Sequence, residues 1–385
     1  MPSSPGSLHF EHIDIGGVVK KKLFLSGIVL LAGLFLREIA LAGSNQATLP
    51  QKSSEQVLQL RDPLLSNFLL PLPPLLLPDL LFPPYNFSTF NSQRLDQELQ
   101  LYYQYLQKNG KPDVMIIGSS RSLQGIDPAA LRDAMAAKGD PGLKVYNFGI
   151  NGATAQVINL VLQEVLAPEQ LPRILVWGDG SRAFNSGRLD ITYNGIVASE
   201  GYRRLALGDR PIPSRVFFTG QVLASTKATD KPETLIAPDL DRYGFNALTA
   251  RYNPDTYYQR YPLVPGQYDS NYQNFQLWGN QSNATKAIAD FARAQGIPLV
   301  FVNLPLTDDY VADVVRHNYE QRFQQHMEQL AEQKNFLFID YHQQPELIKN
   351  EYFVDPSHIN RDGAKAVAAQ LAGDARMPWE ILRTP

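Results

Sequence analysis

The chain has 385 residues, 44% of them hydrophobic and 19% charged, which excludes a wholly disordered chain and one too short to bury a core. A formal net charge of −3 offers no basic field for a nucleic-acid backbone. No cysteine is present, so disulfides, thiolate zinc, iron–sulfur clusters and cysteine nucleophiles are excluded together.

Near the start, Lys20, Lys21 and Lys22 precede an uncharged run over 23–36, which Arg37 and Glu38 interrupt and 39–42 resumes. A membrane span wants about 20 apolar residues. That length is reached only by counting through the Arg–Glu pair, from which Arg37 can snorkel. Three readings stand. A signal anchor over 23–42 leaves 1–22 in the cytoplasm, held by the lysines. A cleaved signal peptide uses Ala40-Leu41-Ala42 as its small-residue site. A buried core helix is the third. The first two place the body outside the cytoplasm, in the periplasm of a cell with two membranes.

Residues 43–90 read as a linker followed by a strap. Seven prolines stand among leucines over 63–84, a density that forbids a regular helix or a central strand. The strap either packs over the globular core or meets lipid or an integral membrane partner.

The body is expected over 91–372, with a tail over 373–385. Leu95, Leu99, Tyr102, Tyr103 and Leu106 recur at helical steps over 91–109, and Gly110 ends the pattern. Short apolar runs over 114–117, 143–148, 173–177, 298–302 and 336–339 read as buried strands. Helices over 128–137, 154–166, 283–295, 313–334 and 361–372 alternate with them. The alternation predicts an α/β fold, a three-layer doubly wound parallel sheet. Residues 186–278 break the rhythm and hold nine of the 18 tyrosines, which marks an insertion. Tyrosine joins an apolar face to a polar tip, so the insertion suits sugars and interfaces as well as ordinary packing.

Open α/β sheets hold their sites beyond the carboxyl ends of the strands. Gly118-Ser119-Ser120-Arg121-Ser122 follows the first strand. Residues 147–154, reading Asn-Phe-Gly-Ile-Asn-Gly-Ala-Thr, follow the second. Asp355-Pro356-Ser357-His358 precedes the last helix. A serine nucleophile needs a base. A histidine base needs a carboxylate to fix its tautomer. A free backbone N–H beside the serine helps hold an oxyanion. Each piece also has a plain reading: a helix cap at Gly-Ser-Ser, a turn at Asn-Gly, and a capping turn at Asp-Pro-Ser-His. Of the other histidines, His9 and His12 precede the membrane segment, while His317 and His326 read as solvated on a helix. His342, after Asp340 at a strand end, is the one rival. No metal-ligand spacing and no phosphate-cradling loop occur, so no metal and no cofactor are expected.

With these blocks in this order, the sequence resembles the SGNH (GDSL-like) hydrolase family over about 112–372. That family carries Gly-Asp-Ser after its first strand, and Ser119 stands here where aspartate is usual. Residues 147–154 resemble its second block and Asp355 to His358 its last. The resemblance implies a catalytic triad of Ser120, His358 and Asp355, with the N–H groups of Ser120 and Gly152 as oxyanion donors. Arg121, Asn151, Asp179 and Arg182 are candidates for substrate or oxyanion support. The family's third block, Gly-x-Asn-Asp, is replaced by Gly178-Asp179-Gly180-Ser181, which lacks the asparagine donor. Asn185 and Asn303 lie elsewhere. Gly-Ser-Ser with an N-terminal anchor is most similar to the DltD-like branch, whose members act beside membrane-bound O-acyltransferases. The resemblance implies an extracytoplasmic esterase or O-acyltransferase acting on acyl, acetyl-type esters of an envelope polysaccharide. The alternative is a non-catalytic scaffold that binds such a polymer or docks a membrane-bound O-acyltransferase. No nucleic-acid partner is expected.

Overall fold

In the computed structural model, the described residues are 85–213, 239–261 and 272–383. The expected membrane segment, the expected proline–leucine strap, Tyr268 and the middle of the insertion lie outside them. Among the described residues, no helix is long and apolar enough to cross a membrane.

The first helix, α1 (Gln93–Asn109), is capped by Ser92, whose side chain accepts from the Leu95 N–H, and it ends at Gly110 with φ 71°. Leu95, Leu99, Tyr102 and Leu106 are fully buried, as their spacing predicts. Five strands follow: β1 (Val114–Gly118), β2 (Val145–Gly149), β3 (Ile174–Asp179), β4 (Leu299–Asn303) and β5 (Leu337–Asp340). All pair in parallel, in the order β2-β1-β3-β4-β5. Met115 and Ile117 of β1 join one apolar cluster; Val114 and Ile116 join the other. Alternate side chains thus enter two separate cores, which is why each strand reads as an unbroken apolar run.

The remaining helices in chain order are α2 (Ser120–Gly125), α3 (Pro128–Ala137), α4 (Ala155–Leu160), α5 (Ile191–Val197), α6 (Glu200–Ala206), α7 (Pro254–Arg260), α8 (Asn280–Ala294), α9 (Asp308–Val311), α10 (Val314–Lys334) and α11 (Arg361–Gly373). Residues of α1, α4, α8 and α10 fill the first core, and those of α3 and α11 fill the second. The three-layer parallel α/β expectation holds. Two elements differ in detail. The helix expected over 154–166 is α4 followed by a π turn at Val161–Val165. A one-turn helix, α9, precedes the long α10.

Three further differences have packing causes. Core packing starts before residue 91, at the end of the stretch expected to be linker and strap. Phe90 is fully buried, Phe87 stacks on it, and Tyr85 sits 5.8 Å from the Tyr103 ring. The segment over 373–385 is no loose tail, because Met377 and Trp379 are buried and Arg173 donates to the Leu382 carbonyl at 3.1 Å. His326 is buried rather than solvated, with its ring edge-on to Trp278 at 4.6 Å. Burial pushes its pKa below the ordinary value.

The insertion covers the β2 edge, where the Asn147 N–H donates to the Tyr243 carbonyl at 2.8 Å. An open edge would otherwise invite pairing with another chain. Gly149 sets the approach of α2 to the sheet. A Cβ there would lie 2.6 Å from backbone atoms of Leu123.

Candidate active site

Ser120 is the first residue of α2, where the chain leaves β1. Its backbone is fixed from both sides. Ser119 caps the helix by accepting from the Arg121 N–H at 3.3 Å. The N–H and Oγ of Ser119 both donate to Asp179, each at 2.9 Å. Asn147 Nδ2 donates to the Ser122 carbonyl at 2.9 Å and to the Ile126 carbonyl at 3.0 Å, which pins α2 to the sheet.

The second component is an antiparallel pair, β6 (Phe353–Asp355) and β7 (His358–Ile359), in which Asp355 faces His358. Pro356 and Ser357 make the turn. Oδ1 of Asp355 accepts from the N–H of Ser357 at 2.8 Å and of His358 at 2.9 Å. Its Oδ2 lies 2.8 Å from His358 Nδ1, and His358 Nε2 lies 3.0 Å from Ser120 Oγ. The carboxylate can only accept, so Nδ1 carries the proton and Nε2 is left to accept from Ser120. Burial pushes the Asp355 carboxyl up. The His358 contact and the two backbone N–H groups outweigh burial and hold it at about 2.

The capping alternative for Asp-Pro-Ser-His is overturned. Asn360, not Asp355, caps α11: its Oδ1 accepts from Asp362 and Gly363 N–H at 3.0 Å each. Its Nδ2 donates to the carbonyls of Ala250, Glu351 and Phe353. Thr307 donates from both its N–H and its Oγ1 to the Pro356 carbonyl, at 3.1 Å each. The turn is therefore tied to the loop after β4.

Ser120, Gly152, Arg121, Arg182 and His358 line one pocket of about 180 Å³, together with Ala153, Ala183 and Arg188. No described residue accepts a hydrogen bond from the N–H of Ser120 or Gly152. Gly152 has φ 72°, a conformation that glycine adopts without strain. Two backbone donors thus stand uncommitted beside a serine with an oriented base.

Several candidates take other roles. Asp179 is 2% exposed and spends its oxygens on Ser119 and on the Gly180 N–H at 3.0 Å. Burial pushes its pKa up, against the opposing pull of Arg121 and these N–H groups. An acceptor-only carboxylate so committed positions the serine turn and supplies no oxyanion donor. Asn151 is exposed on its turn and does not line the pocket. Neither stray asparagine replaces the missing block-three amide. Asn185 Nδ2 donates to the Gln273 carbonyl, and Asn303 Nδ2 donates to Asp340.

Arg121 is 4% exposed and donates to the carbonyls of Leu304 at 2.6 Å and Pro305 at 2.9 Å. Burial, then the nearby Arg182 charge, pull its pKa down. Arg182 donates to Ser357 Oγ at 3.1 Å. Ser357 Oγ in turn donates to Asp355 Oδ1 at 3.1 Å, so Arg182 supports the Asp355–His358 hairpin. His342 is buried, its N–H donating to Asp340 and its pKa lowered by burial. Nothing links it to Ser120, so the rival base is set aside. Ser357, Thr307 and Arg188 were not singled out by the sequence. Asn360 before an apolar helix carries a readable capping signal.

The site therefore defines a parallel α/β chain with a serine–histidine–aspartate relay at the carboxyl end of its sheet. A family described as a protein of unknown function (DUF1574) matches residues 264–367. No curated protein matches the chain. Among solved structures it is similar to the lipase/acylhydrolase from Enterococcus faecalis, at 11% identity, 68% of this chain, 93% of that chain and TM-score 0.36. It is similar to a catalytic mutant of an acetylxylan esterase from Geobacillus stearothermophilus, at 11% identity, 71% of this chain, 97% of that chain and TM-score 0.37. A GDSL-like lipase from Bacteroides thetaiotaomicron is similar at 14% identity, 71% of this chain, 88% of that chain and TM-score 0.31.

Proposed function

We propose that this chain is a serine esterase or O-acyltransferase of the SGNH type, working through a Ser120 acyl-enzyme. The unbroken line from Ser120 Oγ to His358 Nε2 at 3.0 Å, and from His358 Nδ1 to Asp355 Oδ2 at 2.8 Å, carries this reading. His358 takes the Oγ proton as Ser120 attacks the ester carbonyl carbon. The tetrahedral oxyanion accepts from the N–H groups of Ser120 and Gly152. The C–O bond to the alcohol breaks, and His358 returns the proton to the departing oxygen. A second oxygen nucleophile, deprotonated by His358, then attacks the acyl carbon; the bond from that carbon to Ser120 Oγ breaks, and His358 returns the proton to Oγ. Water gives hydrolysis and a polymer hydroxyl gives transfer.

The pocket's volume of about 180 Å³ and its walls of Ala153 and Ala183 favour a short, acetyl-type acyl group. The Tyr252 N–H of the insertion donates to the Phe353 carbonyl of β6 at 2.7 Å, and the Tyr252 ring lies 5.5 Å from that of Tyr257 on α7. Aromatic side chains of the insertion thus adjoin the Asp355–His358 hairpin, which supports a sugar polymer as the alcohol part. Lys20 to Lys22 before the uncharged run over 23–36, resumed over 39–42, support a single-pass, extracytoplasmic enzyme at the envelope. A DltD-like place beside a membrane-bound O-acyltransferase belongs to the same reading. The absent block-three amide favours the second reading, a scaffold that binds an acylated polymer without turning it over, because one lost donor typically costs about 2.7–4 kcal/mol in the barrier.

Acetate release from acetylated xylooligosaccharide separates the two. The enzyme reading expects saturable release well above the buffer rate, with part of the acyl group diverted to added oligosaccharide if transfer is favoured. Binding of the oligosaccharide without acetate release would support the scaffold.

A further inference from the structure

Arg188 stands apart from the other two guanidinium groups at this pocket. Arg121 is spent on two carbonyls and Arg182 on Ser357. Arg188 is half-buried on the pocket wall, yet it makes no hydrogen bond or ion pair with any described residue. Its Nε is wholly buried without a partner. Arg121 Nε, in a side chain 96% buried by its 4% exposure, is likewise unpartnered. A guanidinium taken partly out of water without a counter-charge is costly. The pocket lining carries three arginines against one carboxylate, Asp179, which is committed to Ser119 and Gly180. Ser181, next to Arg182, donates to buried Glu320 at 2.5 Å, as does Tyr272 of the insertion, so that carboxylate too is committed.

We infer that Arg188 is the recognition residue for an anionic group, a carboxylate or a phosphate, that the substrate carries beside its scissile ester. The inference rests on the acyl-ester reading of Ser120 and narrows its substrate class. Guanidinium matches both oxyanion types bidentately. A neutral acetylated sugar would leave Arg188 unpaired in the complex. An acetylated uronate or sugar phosphate would neutralise it while the ester carbonyl sits at Ser120.

The test compares three acetyl esters that differ only at C6: O-acetylgalactose, O-acetylgalacturonate and O-acetylgalactose 6-phosphate. The expected result is a kcat/KM at least about 30-fold higher for one anionic ester than for the neutral one, falling with added salt. The preferred anion tells carboxylate from phosphate. Arg188→Gln should bring that ratio close to one, and Arg188→Lys should restore part of it. Equal ratios in wild type and Arg188→Gln would overturn the inference while leaving the esterase standing. A second measurement is independent of turnover: calorimetric binding of galacturonate and of galactose 6-phosphate to the Ser120→Ala protein. One of the two should weaken about 30-fold when Arg188→Gln is added. Arg188-dependent binding with no turnover of any ester would remove the esterase reading and keep the anion site. Binding of neither anion, in a variant whose melting temperature matches wild type, would remove the anion site.

Discussion

Ser120→Ala is expected to lower turnover of an acetyl ester by about 10,000-fold to 1,000,000-fold, and His358→Ala by a similar amount. The two side chains meet at 3.0 Å and act on one proton. Removing either removes the activated nucleophile, so the double variant should be no slower than the singles. Residual rate above buffer then measures what the N–H groups of Ser120 and Gly152 and substrate binding supply alone. Folding should be untouched, because Ser120 Oγ makes no bond that holds α2 in place; Ser119, Ser122 and Asn147 do that. Steady-state rates of the three proteins, with urea melts beside them, check this. Multiplicative losses would mean that the two residues act independently and that the relay is not one unit.

Asp355→Asn should cost about 10,000-fold in kcat with the hairpin intact. The amide oxygen can take over Oδ1 and still accept from the N–H groups of Ser357 and His358. The amide nitrogen then faces His358 Nδ1 as a donor. That forces the proton onto Nε2, and a protonated Nε2 cannot accept from Ser120. The stability effect has a definite sign. The Asp355 carboxyl, held at about 2, lies below the ordinary carboxylate value. The unfolded chain therefore binds this proton more readily than the folded one. The group's contribution, on the order of 2 kcal/mol, is complete above about pH 5 and fades as pH falls toward 2. About 1 kcal/mol of it is gone by pH 3. The asparagine variant lacks this dependence, so urea melts at pH 6 and pH 3 should differ less for it than for wild type. A wild-type rate in Asp355→Asn would place the carboxylate outside the chemistry.

The strands were legible because each is buried on both faces and therefore reads as a short unbroken apolar run. The Asp355–His358 pair was legible because its geometry is local: a two-residue turn brings the partners together whatever the rest of the chain does. Residues 147–154 were readable for a similar reason, since Asn147 and Gly149 are demanded by the close packing of α2 on β2. What escaped depends on contacts far along the chain. Arg188 reaches the pocket only through the course of the insertion, which no periodicity reveals. Asp179 looks like a site carboxylate in sequence, but its partner Ser119 lies 60 residues away. His326 sits among charged neighbours on α10, and the Trp278 ring that packs edge-on against it comes from the insertion, 48 residues away. Tyr85, Phe87 and Phe90 carry no helical or strand period, so the start of the packed body could not be told from the linker before it.

Both hydrolysis and transfer at this site require Ser120 to be an activated nucleophile, and covalent labelling reads that property without knowing the substrate. Full-length protein treated with a fluorophosphonate and digested for mass spectrometry should carry the phosphonyl group on Ser120. His358→Ala should slow the labelling by orders of magnitude, while Ser119→Ala should only weaken it, because Ser119 Oγ is committed to Asp179. An unlabelled Ser120 in folded wild-type protein, or labelling that survives undiminished in Ser120→Ala, would show that Ser120 is not the nucleophile.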